Sequence, residues 1–309
     1  MKQRRSFPIL QIVGKVLLTL IFIIVITVIL SIAAAILAVR LTPDLIVSME
    51  AVTSNPFFIK ASLWAQIVGF ISGVCLGFYL FERQKGWKLG LQTVRFGRWF
   101  GEGFLWGVVL ITTSSLGIWL FGGIHFVQMD WSLSKGYAIG GSFLLFIGVA
   151  INEELFARGY LQGLVKNRFG PKIALGVSTL VFALLHSFNP GMWTTPFPFI
   201  NIVLAGLLMG LCREYSGSLW MPVGLHFAWN FMQGCVFGFD VSGIPMSSLI
   251  TTETKGAIVI SGGDFGAEGS FITTFILVLG IIMIYNYYQT RNRFNLTRQV
   301  INNQNHNNH

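Results

Sequence analysis

Glu153 and Glu154 stand side by side, with Arg158 four residues on, directly behind a stretch apolar enough to lie in a lipid bilayer. Ionisable groups at that depth cost kilocalories each and mark functional cavities. Neighbouring residues on a helix point about 100° apart, so the two glutamates have separate tasks. Arg158 lies i+4 from Glu154 on one face, where the two can hold each other ionised as a structural pair. Glu153 has no such partner on its own helix. Desolvation should raise its pKa, which suits a general base. The alternative is that both carboxylates only tie helices together.

Two further segments carry chemistry. Phe182-Ala-Leu-Leu-His186 places a single histidine on an apolar helix, and Leu225-His226-Phe-Ala-Trp-Asn230 sets His226 and Asn230 at i and i+4 on one face. Both of the latter can donate hydrogen bonds, as a developing oxyanion requires. Asn230 alone would serve equally as a bond between helices. Two histidines and a glutamate are also zinc ligands. However, the chain has no His-Glu-x-x-His, and each histidine comes from a different segment. A carboxylate that activates water with help from His186 explains the same residues without metal, so no cofactor is expected.

The elements that must position these groups are membrane helices. Of 309 residues, 53% are hydrophobic and only 11% charged, with 28 phenylalanines and a mean hydropathy of +0.68, too little polar surface for a water-soluble domain. The net charge of +9 resides in short loops, which suits an anionic membrane surface and not nucleic acid. Cys75, Cys212 and Cys235 lie in or beside apolar stretches without paired spacing and read as core residues.

About 20 apolar residues span a bilayer, and eight such stretches are visible: Val16–Val39, Phe57–Phe81, Gly103–Phe121, Tyr137–Val165, Pro171–Ser187, Phe197–Leu211, Leu219–Phe237 and Phe271–Tyr288. If all eight cross, 16 basic residues fall on the side of the termini and 4 on the other, which places both termini in the cytoplasm of a multi-pass cell-membrane protein. The expected fold is all-α, with three parts: residues 1–140 as leading helices, 141–240 as a catalytic core, and 241–309 as an outer loop, a last helix and an unstructured polar tail. The glycine-rich Ser261–Ser270 reads as a turn into the last helix with Ser270 as its cap. Gly206-Leu-Leu-Met-Gly210 reads as a close helix contact. His125 falls in an outer loop without a role.

Glu153-Glu154-x-x-x-Arg158, Phe182-x-x-x-His186 and His226-x-x-x-Asn230, in that order over about Ala150 to Phe231, resemble the three motifs of the CPBP family. These are the CAAX-processing and bacteriocin-processing intramembrane endopeptidases, also called Abi proteins. The Gly262–Ser270 loop is similar to one in bacterial members. The resemblance implies an eight-helix enzyme with a cavity open to cytoplasm and lipid. In it, Glu153 and His186 activate water, His226 and Asn230 stabilise the tetrahedral intermediate, and Glu154 and Arg158 orient the site without metal. The partner would be a peptide or lipidated-peptide substrate in the bilayer, with no nucleic acid. The competing expectation is a membrane scaffold or bacteriocin immunity protein that does not cleave.

Overall fold

The computed structural model describes residues 7–42 and 48–307, the last sixteen by backbone alone, so Lys2, Arg4 and Arg5 of the charge count lie outside the described residues. In chain order the helices are α1 (Pro8–Leu41), α2 (Met49–Thr53), α3 (Pro56–Phe81), α4 (Phe96–Leu120) and α5 (Leu133–Glu154). A π-helical turn, Leu155–Leu161, joins α5 to α6 (Gln162–Phe169). Next come α7 (Pro171–Leu185), α8 (Phe197–Ser216), α9 (Trp220–Phe231) with a π extension Met232–Val236, α10 (Ile258–Ser261) and α11 (Phe271–Asn307). The protein is an all-α polytopic membrane fold.

By length and apolarity, six helices among the described residues can cross a membrane. The expected eight is not confirmed as a count. The fifth and seventh stretches fold as α7, of 15 residues, and α9, of 12, both short of a full crossing. Met221 to Asn230 of α9 are all buried. A helix enclosed by protein need not match the hydrocarbon thickness, because its ends can be satisfied by other helices. At the other extreme, α1 has a mean hydropathy of 3.2 with 11% of its apolar window buried, so it lines the outside of the bundle. The fourth stretch runs as one continuous helical segment, Leu133–Phe169. It ends before Gly170, whose φ of 82° only glycine adopts readily, and before Pro171 at the start of α7.

Two strands depart from the all-helical expectation: β1 (Ile124–Met129) pairs antiparallel with β2 (Ile250–Thr254). They fasten the α4–α5 connection to the α9–α11 connection. The α7–α8 connection joins the same end, because Asn189 Nδ2 donates to the Ser242 carbonyl at 3.2 Å. At the opposite end Leu219 N donates to Gly90 O at 2.8 Å, closing the α3–α4 connection onto the start of α9. His125 lies on β1 with its Nε2 2.9 Å from Lys255 Nζ. Cys212 and Cys235 are buried, whereas Cys75 faces outward, since apolar surface on a membrane helix can meet lipid. Backbone helix continues through Asn302 to Asn307, where composition pointed to an unstructured end; extending an existing helix needs no new nucleus.

Glycine sets the closest helix approach. A Cβ on Gly224 of α9 would stand 2.3 Å from the Phe100 carbonyl, and one on Gly103 of α4 would stand 2.0 Å from the Met221 carbonyl. The two backbones therefore touch, and α4 becomes the wall against which α9 is registered. Gly224→Val is expected to force α9 away from α4, at a cost of about 3 kcal/mol or more because backbone cannot yield as a side chain does. Thermal melting in lipid checks this, and an unchanged melt would show that α9 is registered by something else.

Candidate active site

Three elements bring the site together. Glu153 and Glu154 close α5, His186 follows the last turn of α7, and His226 sits inside α9. Glu153 Oε2 lies 3.7 Å from His186 Nε2 and 3.9 Å from His226 Nε2. It has no hydrogen-bond partner among the described residues. These separations exceed a direct hydrogen bond and lie near van der Waals contact, so a water would join the three groups only after a small shift of Glu153 or a ring.

The second nitrogen of each ring is engaged. His186 Nδ1 is 2.8 Å from the Phe182 carbonyl, so it carries the hydrogen and donates. In the neutral ring Nε2 then presents its lone pair toward Glu153. His226 Nδ1 is 3.0 Å from Glu154 Oε1 and donates to that carboxylate. With Nδ1–H engaged in this way, His226 carries a second N–H, on Nε2, only when protonated to the imidazolium. In that form two carboxylates, one guanidinium and one imidazolium leave the buried cluster electrically balanced. Asn230 is buried one turn further along α9.

Glu154 and Arg158 form the expected pair, with Nη1 to Oε1 at 2.9 Å and both side chains fully buried. Arg158 Nη2 donates to Gly206 O at 3.1 Å, and its guanidinium lies 4.1 Å from the Phe182 ring centroid. Four residues on, Gln162 Nε2 donates to Gly210 O at 3.2 Å and to Glu214 at 2.8 Å, and after four more Lys166 pairs with Glu214 at 2.6 Å. Residues 154, 158, 162 and 166 thus make a polar stripe that docks on α8. Gly206 and Gly210 have no Cβ, so these side chains reach the α8 backbone. A Cβ on Gly210 would meet Leu175 at 2.5 Å and one on Gly206 would meet Phe182 at 3.4 Å, so the same glycines seat α7.

The structure corrects one distinction within the acidic pair. The desolvation expected of both carboxylates is complete only for Glu154: the Glu153 side chain keeps 30% of its surface exposed and Glu154 none. The reason is the phase of α5, which turns Glu154 toward α8 and α9 and leaves Glu153 at the edge of the cluster.

Several contributing residues had no role assigned from sequence, Phe182 being known only as part of a motif. Phe182 packs 4.6 Å from His186 and 6.2 Å from His226, centroid to centroid, and so spaces the two imidazoles. The π turn Leu155–Leu161, buried throughout, also gives no sequence signal. Such turns insert one residue into a helix and recur at functional sites. Gln162 did carry a signal, being the third polar position at four-residue spacing. Among the described residues no three His, Cys, Asp or Glu side chains are placed to hold a metal ion. A cavity of about 380 Å³ lies elsewhere, against Phe78, Trp87 and Lys88, so the site is a cluster between helices and not that recess.

Comparison with known proteins agrees with the motifs. Residues 134–232, which enclose Glu153, His186, His226 and Asn230, match the type II CAAX prenyl endopeptidase Rce1-like family model. The chain is also 30% identical over 92 residues to the uncharacterized protein YpbD of Bacillus subtilis (strain 168), a similarity covering 30% of this chain and 43% of that protein.

Proposed function

We propose, from a segment that matches the Rce1-like endopeptidase model and the cluster it encloses, that this multi-pass membrane protein hydrolyses a peptide bond within the bilayer. The observation that carries this reading is Glu153 Oε2, without a hydrogen-bond partner among the described residues and 3.7 and 3.9 Å from two imidazole nitrogens. Water held there gives its proton to Glu153 as its oxygen attacks the carbonyl carbon, and neutral His186 accepts a hydrogen bond from it. Oxygen of the scissile carbonyl becomes the oxyanion, stabilised by His226 Nε2–H and the Asn230 amide. Collapse of the tetrahedral intermediate breaks the C–N bond, and the proton held by Glu153 passes to the leaving amine. Glu154, paired with Arg158, orients the His226 ring and balances the charge of its imidazolium. The reaction needs no metal in this reading.

The substrate class is a membrane-associated or lipidated peptide, and both termini of the enzyme face the cytoplasm, as the excess of basic residues on that side predicts. A non-cleaving scaffold or bacteriocin immunity protein remains the second reading. It has no use for an unpaired carboxylate between two histidines. The full chain in lipid vesicles, tested on quenched peptides with and without a lipid anchor, decides between them. Cleavage by the wild type, lost in His186→Ala and reduced about 100-fold in Asn230→Ala, is expected. No cleavage of any peptide, with cellular phenotypes retained by His186→Ala, favours the scaffold. Loss of activity to a chelator, restored by zinc, overturns the metal-free mechanism.

A further inference from the structure

Glu268 lies outside the segment that matches the family model, in the connection before α11, yet it is built into the surroundings of His186. It is buried, and among the described residues no lysine or arginine pairs with it. Its Oε2 accepts two hydrogen bonds from one residue, Ser242 N at 2.9 Å and Ser242 Oγ at 2.8 Å. Ser242 has φ of 50°, a left-handed conformation that residues other than glycine rarely adopt. That strained residue aims both donors at a single carboxylate oxygen, and its own carbonyl faces the other way.

The Ser242 carbonyl accepts from Asn189 Nδ2 at 3.2 Å, and Asn189 N donates to the carbonyl of His186 at 3.0 Å. A continuous chain of hydrogen bonds thus runs from Glu268 to the turn that carries His186. The backbone of Glu268 is fixed from the other side, because Asn201 Nδ2 of α8 donates to the carbonyls of Glu268 at 2.7 Å and Ser270 at 2.9 Å. The two loops meet without intervening side chains: a Cβ on Gly243 would lie 2.2 Å from the Pro190 carbonyl.

Resting on the proteolytic reading, we propose that Glu268 is a positioning residue for His186, holding the His186–Asn189 turn through Ser242 from a place where its charge acts on the imidazole without touching it. Burial pushes the Glu268 carboxyl up, and the Ser242 donors and the charge of His186 oppose that push. His186 is the titratable group at the end of α7 whose charge, when it is protonated, acts on Glu268; Gln233 of the π extension supplies a neutral contact, and Asp240 and Asp264 of the same connection repel each other. Glu153 faces His186 from α5.

The test needs no substrate. The full chain, with nitrogen-labelled histidine, is placed in lipid nanodiscs, and His186 is assigned by its absence from His186→Asn. In the wild type one tautomer, Nδ1–H, is expected. Glu268→Gln keeps an acceptor for Ser242 but removes the charge, so His186 should keep its tautomer and titrate at lower pH. Glu268→Ala should also mix the tautomers, and Glu253→Gln on exposed β2 should change neither. His186 signals identical to wild type in both folded Glu268 variants would overturn the proposal, and if Glu268→Ala does not fold, unchanged titration in Glu268→Gln suffices. Where the wild type cleaves, Glu268→Gln should lower kcat about tenfold with KM held within twofold, and its acid limb should move to lower pH. Failure of the wild type to cleave would remove the proteolytic reading while leaving the histidine spectra to decide the Glu268–His186 link.

Discussion

Glu153→Gln reduces kcat by about 10³-fold, leaves KM within a few-fold, and melts within about 0.5 kcal/mol of wild type. The rate effect follows from the role. A positioned base contributes about 10²–10⁴-fold, and 10³ corresponds to about 4 kcal/mol of transition-state stabilisation. Glutamine keeps the shape of glutamate but cannot take the proton of the attacking water. The small stability effect follows from the contacts: Glu153 is 30% exposed and its Oε2 has no hydrogen bond to lose. Steady-state rates on one quenched peptide and melting in the same lipid check both halves. Cleavage within tenfold of wild type would remove Glu153 from the role of base. A large fall in stability would mean that the carboxylate holds helices together, which is the competing use of the pair.

The separation of duties between the two glutamates was legible because it is local. The i, i+4 geometry that joins Glu154 to Arg158, and His226 to Asn230, depends on the period of one helix and is written in spacing. Convergence of α5, α7 and α9 is a different kind of fact. It depends on Gly206, Gly210, Gly103 and Gly224 allowing backbones to approach, and of these only the Gly206 and Gly210 pattern stands out by eye in a chain with 35 glycines. The shortness of α7 and α9 was hidden because apolar runs read alike whether lipid or protein surrounds them. Ser270 was readable as a cap, and its Oγ does accept from Ile272 N at 3.1 Å. Glu268, two residues earlier, was not, since its partners come from residues 242 and 201, and spacing says nothing about loops folding back.

Arg158→Met is expected to destabilise the protein by about 3–5 kcal/mol, a large part of the roughly 5–15 kcal/mol that holds a typical domain folded. Methionine leaves Glu154, whose side chain is fully buried, as a charge without its cation. It also strips the Gly206 carbonyl of its donor and the Phe182 ring of its guanidinium. The effect should be recoverable in a specific way. In Glu154→Gln/Arg158→Met the carboxylate left without its guanidinium is gone, while the glutamine oxygen can still accept from His226 Nδ1. Melting should return by about 2 kcal/mol relative to Arg158→Met, within the coupling range of side chains in contact. Cleavage should stay at least 100-fold below wild type, because without the Glu154 carboxylate the His226 imidazolium loses the charge that balances it beside the oxyanion. A double variant that regains both stability and activity would show that Glu154 and Arg158 serve the fold alone, and that the orientation and charge of His226 are set by something other than its 3.0 Å contact with Glu154.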